Sequence, residues 1–178
     1  IVAAAREDIV VVRYASDSSL EDLSVTIEEA LKGYKADSIA FATHNAGDAK
    51  VQLTNDHVVS GENLQEGFWN SLGGLLKKDG RIDLLACKVL PEDTDYDDGH
   101  LNEGENLLRG IEEFSGAKVA ASTDYTGSDA YGGDWVLESE GLDIRSIYFD
   151  SEKIDAYHGV LNQDVVAAGS LLDQSAQA

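Results

Sequence analysis

Four short apolar runs, the first of them rich in β-branched residues, separated by longer stretches, constrain this chain more than any other feature. They are Ile9 to Tyr14 (IVVVRY), Asp37 to Thr43 (DSIAFAT), Arg81 to Ala86 (RIDLLA) and Ala117 to Ala121 (AKVAA). Each is too short for a helix and too continuously apolar for a half-exposed strand, so each reads as a strand buried on both faces. Leu20, Leu23, Ile27 and Leu31 fall at helical spacing between a Ser18 or Ser19 cap and a stop at Gly33. A second helix is expected from Ser60, carrying Leu64, Phe68, Leu72, Leu75 and Leu76, with its end near Gly80. A third is expected from Gly104 to Phe114, turning Leu107, Leu108 and Ile111 inward. Strands alternating with helices predict an α/β fold, a mainly parallel, doubly wound sheet with helices on both faces. Lys50 to Thr54 alternates and reads as an exposed hairpin arm, and Trp135 to Glu138 and Ile144 to Phe149 read as two further strands. One domain over residues 1–161 accommodates all of this, and 162–178, rich in Ala, Gln and Ser, reads as a polar tail or linker.

In a doubly wound sheet, chemistry gathers beyond the carboxyl ends of the strands. His44 ends the second run and Cys87 the third. Paired strands lie about 4.8 Å apart, so pairing of these two runs would bring the side chains close. Cys87 is the single cysteine, which excludes an intrachain disulfide and a CxxC metal site. A lone cysteine beside an apolar run is ordinarily packing, and the position opposite His44 is what gives it a second reading. Asp124 follows the fourth run at the same edge. It reads either as a turn cap or as a group that orients His44 or lines a pocket. His57, His100 and His158 lack metal-ligand spacing, and Trp69 and Trp135 read as packing residues. The glycines of GSDAYGGDW open no helix and so do not form a nucleotide-binding fingerprint.

The chain carries 34 acidic against 13 basic residues, a net charge of −21. That charge repels nucleic-acid phosphates and anionic lipid, and favours a protein or peptide partner of basic character. No apolar run approaches the roughly 18 residues of a transmembrane segment. A chain that begins at Ile1 and contains no Met reads as a processed or excised piece. The acidic stretch PEDTDYDDGH (Pro91 to His100) places Asp93, Asp95 and Asp97 at alternate positions, as a calcium loop does. Asp98 stands where such a loop needs Gly, and Gly104 where it needs Glu, so an EF-hand is excluded. An irregular Ca2+ site, a solvated loop and an attractor for a basic substrate residue remain the three readings. Beyond that ion no cofactor is expected.

The segments DSIAFATHNAGDAKVQLTND, RIDLLACKV and GAKVAASTDYTGSDAYGGDWVLE resemble a domain of unknown function found in very large secreted bacterial repeat and adhesin proteins. That family is similar to the caspase–gingipain clan of cysteine peptidases. The resemblance spans roughly Asp8 to Glu138 and implies a caspase-like three-layer sandwich and an extracytoplasmic setting. It implies Cys87 as nucleophile and His44 as general base of an endopeptidase that could act on itself. The amide of Cys87 and the turn after His44 would form the oxyanion hole, with Asn45, Gly47, Ala86 and Asp124 lining the site. Asn45 stands where the clan has Gly, Ala86 where the family often has Gly, and the family's N-terminal strand is reduced to Ile1 to Ala5. A non-catalytic module of the same fold, serving as an interaction or scaffold subunit, is the alternative these departures imply.

Overall fold

The computed structural model of the chain describes residues 1–90 and 103–161. In chain order its elements are α1 (Leu20–Leu31), β1 (Ala36–Ala42), β2 (His44–Asn45), β3 (Val51–Thr54), β4 (His57–Val59), α2 (Glu66–Gly73), β5 (Leu76–Leu85), α3 (Glu103–Ser115), β6 (Lys118–Ala121), β7 (Val136–Leu137), β8 (Leu142–Asp143), α4 (Arg145–Tyr148) and α5 (Ser151–Asp155). The centre is a parallel sheet in the order β1-β5-β6, with Ala42 opposite Leu85 and Leu84 opposite Ala121. The α/β class and the parallel sheet are as the apolar runs predict.

Side-chain alternation splits the core into two layers. Ile39, Phe41, Ile82, Leu84, Val119 and Ala121 face one way and pack with Leu23 and Ile27 of α1, Trp69 and Leu72 of α2, and Leu107 and Ile111 of α3. Leu85, Cys87 and Ala120 face the other way and pack with Trp135, Leu137, Tyr148, Phe149 and Ile154. Ser19 caps α1 by accepting the Asp22 amide at 3.0 Å, and Lys32 and Gly33 turn left-handed to end it. Trp69 and Trp135 are both core residues.

One charge is buried inside the second layer. Asp83 has no exposure, and it pairs with Arg81 through both oxygens, at 2.7 and 2.9 Å. The Tyr148 hydroxyl also bonds Asp83, and it lies 2.7 Å from the Ser38 hydroxyl. This network ties β5 to β1 and α4. Arg81 and Asp83 alternate onto one face of the strand, so the pair forms within one element.

Several expectations are corrected. Ile9 to Tyr14 is not a strand: Val10 is 58% and Val11 38% exposed, and β1 is paired only with β5 among the described residues. A groove of about 890 Å³, lined by Ile9, Val12, Ile39 and Phe41 among others, separates the run from the edge of β1. The hairpin β3–β4 is present, but Val51, Leu53 and Thr54 are buried, because the hairpin folds onto the core instead of projecting from it. Helix α2 begins at Glu66, since Ser60 and Asn63 exchange backbone hydrogen bonds and close a turn first. It ends at Gly73, where a Cβ would fall 2.0 Å from the Ser115 carbonyl oxygen, so the chain turns there and Leu76 enters β5. Residues 144–149 are chiefly the helical turn α4, with Ile144 and Tyr148 buried at helical spacing. Among the described residues no helix is long and apolar enough to cross a membrane.

Candidate active site at the carboxyl edge of the sheet

Parallel pairing carries β1 and β5 to a common edge. The Thr43 amide donates to the Leu85 carbonyl at 3.1 Å, the last rung between them. His44 and Cys87 each follow two residues beyond the paired Ala42 and Leu85, on neighbouring strands. Two turns then lock together. The Asn45 side-chain nitrogen donates to the Lys88 carbonyl at 2.5 Å, and the Ala49 amide donates to the Val89 carbonyl at 3.1 Å. Lys88 adopts φ 49°, a left-handed conformation that a non-glycine residue holds only when its surroundings impose it. Its ammonium lies 4.5 Å from the Tyr125 ring centroid.

The chain leaving β6 supplies the other wall. The Lys88 amide donates to the Asp124 carbonyl at 2.6 Å and the Leu90 amide to the Ser122 carbonyl at 3.0 Å. The Thr126 hydroxyl donates to the Ala86 carbonyl at 3.3 Å, and the Cys87 thiol donates to the Thr126 carbonyl at 3.6 Å. Cys87 is 3% exposed. Burial pushes its thiol up to about 11, and the Asp124 charge adds to that, so the sulfur is protonated at neutral pH. The Cys87 amide donates to the Leu161 carbonyl at 3.4 Å.

His44 is half-buried, yet both ring nitrogens are enclosed and neither has a hydrogen-bond partner among the described residues. Burial lowers its pKa, which leaves a neutral imidazole at pH 7. A ring with two unpartnered enclosed nitrogens is costly, and such exceptions call for an explanation. No hydrogen bond joins it to Cys87 in this state.

The other expected residues fall as follows. The Asn45 side-chain oxygen Oδ1 accepts from the Gly47 amide, so Asn45 ties turns together and the Gly47 N–H is already engaged. Ala86 is fully buried in the layer opposite Cys87 and lines nothing on the thiol's side. Asp124 acts as a turn anchor through the Ser122 hydroxyl, with its charge felt at the thiol. Asp93, Asp95 and Asp97, the candidate calcium ligands, lie outside the described residues.

Three neighbouring residues were not anticipated. Tyr157 has an enclosed hydroxyl without a partner among the described residues, and its pKa is raised by burial and by the nearby Cys87. Asp134 and Glu138 bring carboxylate oxygens within 4.8 Å of each other and of Asp124. Glu138 accepts from the Thr123 amide at 2.7 Å, and Asp134 from the Val136 amide at 2.8 Å, so both act as turn anchors. The helical spacing of Ile154 and Tyr157 hints at an inward Tyr157, whereas nothing local in the sequence links either carboxylate to Asp124.

A family model described as a domain of unknown function (DUF4347) matches residues 1–161. No curated protein and no solved structure matches the chain.

Proposed function

We propose that this chain, which belongs to the family of domains of unknown function DUF4347, is a caspase–gingipain-like cysteine endopeptidase domain with Cys87 as nucleophile and His44 as general base. The observation that carries the reading is the in-register delivery of both residues to one sheet edge, together with two enclosed imidazole nitrogens that no structural partner uses. Because the thiol is protonated at rest, the reaction would begin with proton transfer from Cys87 to His44 as the sulfur attacks a peptide carbonyl. The Cys87 amide is the natural first donor to the oxyanion. A charge of −21 favours basic peptide or protein partners and suits an extracytoplasmic setting.

A second reading is a non-catalytic interaction or scaffold module. It is favoured by the near-complete burial of Cys87 and by its thiol's preference for the Thr126 carbonyl over His44. The rate of Cys87 alkylation by iodoacetamide against pH, in wild type and His44→Ala, separates the two. A primed dyad gives alkylation that persists well below the ordinary thiol value of 9.0 and falls at least about tenfold in the variant. Slow labelling that ignores the variant rules out the peptidase reading.

A further inference from the structure

We infer that the chain's own segment Gly159–Leu161 lies in the acyl-donor position of this site, so that the peptide bond between Leu161 and Asn162 is a substrate and the domain cuts itself there. The inference rests on reading His44 and Cys87 as a peptidase pair.

The segment runs antiparallel to the chain beyond β6. The Leu161 amide donates to the Thr126 carbonyl at 2.8 Å, the Ser128 amide donates to the Gly159 carbonyl at 2.8 Å, and Gly127 and Val160 form the bridge between them. Main-chain pairing of alternate residues is how an extended peptide is held by a strand edge. The remaining contact is what a mere edge strand does not need. The Leu161 carbonyl, on the far side of that residue, accepts from the amide of Cys87 itself. The nucleophile's own amide is a standard oxyanion donor, and a carbonyl bonded to it lies beside the attacking atom.

Side chains agree with this placement. Leu161 is fully buried in the same apolar layer as Cys87, as a residue seated in a specificity pocket would be. Two glycines clear the track. A Cβ on Gly127 would fall 2.6 Å from the Gly159 carbonyl oxygen, and one on Gly133 would fall 2.8 Å from Val160 Cγ1.

The chemistry balances with water as the only co-reactant. Cys87 Sγ bonds to the Leu161 carbonyl carbon while His44 takes the thiol proton. The C–N bond to Asn162 breaks, and His44 returns the proton to the departing amine. Water then adds to the thioester, releasing a Leu161 carboxylate and restoring the thiol, with residues 162–178 freed.

The test is intact-mass spectrometry of the folded 178-residue chain incubated at neutral pH, beside Cys87→Ala and Gly127→Ala, with circular dichroism to confirm folding. The same samples are assayed for His44-dependent alkylation of Cys87. The expected result is loss of residues 162–178 from wild type alone, with the rate in Cys87→Ala reduced at least about 1000-fold. Gly127→Ala, which displaces the segment without touching the dyad, should also stay intact. Cleavage that survives Cys87→Ala, or falls at another bond, overturns the inference. An uncut chain whose Cys87 still reacts in a His44-dependent way overturns the inference and leaves the peptidase reading standing. An uncut chain with an inert Cys87 overturns both.

Discussion

Asp83 on β5 and the ring nitrogens of His44, just past the end of the neighbouring β1, are enclosed polar groups that the protein treats in opposite ways. Asp83, near the carboxyl end of β5, is fully enclosed and receives Arg81 through both oxygens as well as the Tyr148 hydroxyl. His44, just past the end of β1, has two enclosed nitrogens and, among the described residues, no partner for either. The first arrangement is what stability demands of a buried charge. The second costs stability and returns nothing structural, which is the pattern expected where a group is held ready for a proton. The difference teaches that along these strands satisfaction marks scaffold and orphaning marks chemistry.

The comparison breaks first at Asp83. Asp83→Ala strands the Arg81 guanidinium and the Tyr148 hydroxyl in the second core layer, and should destabilise the domain by about 3–5 kcal/mol. Urea unfolding followed by tryptophan fluorescence reads this directly, since Trp135 packs in that layer. Replacing the whole group by apolar residues (Arg81→Met, Asp83→Leu and Tyr148→Phe together) should cost far less, because no charge is then left alone. A loss below about 1 kcal/mol for Asp83→Ala would mean the network is not the anchor its geometry suggests.

How much of this was legible in the sequence follows from the range of the contacts. His44 and Cys87 could be placed at one edge because each ends an apolar run, and strand ends are a local property. The Asp83 network could not be read. Its tyrosine lies 65 residues away, and the segment holding that tyrosine reads as a strand because Ile144, Ile147 and Tyr148 alternate poorly but are β-prone. The Ile9 to Tyr14 run shows the reverse failure: strong β propensity without a partner close enough to pair. The start of β5 was hidden by Lys77, Lys78 and Asp79, polar residues that interrupt the apolar pattern although the backbone is extended. The role of Leu161 was invisible because its meaning lies in one backbone bond to Cys87, and backbone groups carry no sequence signature.

Cys87 sharpens the contrast through pH. The unfolded thiol ionises near its ordinary value of 9.0, while the folded one holds its proton to about 11. Between those values the unfolded state has shed a proton that the native state keeps, so stability falls as pH rises across that window. Each unit of separation is worth about 1.4 kcal/mol, which sets the expected loss at roughly 3 kcal/mol. Cys87→Ala should remove this slope. The fall that remains should begin only above the ordinary tyrosine value of 10.0, where Tyr14, held up to about 12 by burial, starts to favour the unfolded state. A slope unchanged in Cys87→Ala would mean that solvent reaches the sulfur, and the contrast with the closed Asp83 layer would weaken.

The smallest effect carries the most information about His44. If its two nitrogens serve no structural bond, His44→Leu should stabilise the fold at pH 7, by about 1 kcal/mol, while abolishing any primed reactivity of Cys87. Its burial also predicts an acid arm. The folded imidazole resists protonation, so below the unfolded value of 6.5 the unfolded state gains a proton first and stability falls with falling pH. Urea unfolding of wild type and His44→Leu at pH 7 and pH 5 measures both at once. The variant's advantage should be larger at pH 5, because it has no imidazole to titrate. A variant less stable than wild type at pH 7 would show that the ring is held by packing that the orphaned nitrogens do not reveal. His44 would then belong with Asp83 as scaffold, and the non-catalytic reading of the domain would gain accordingly.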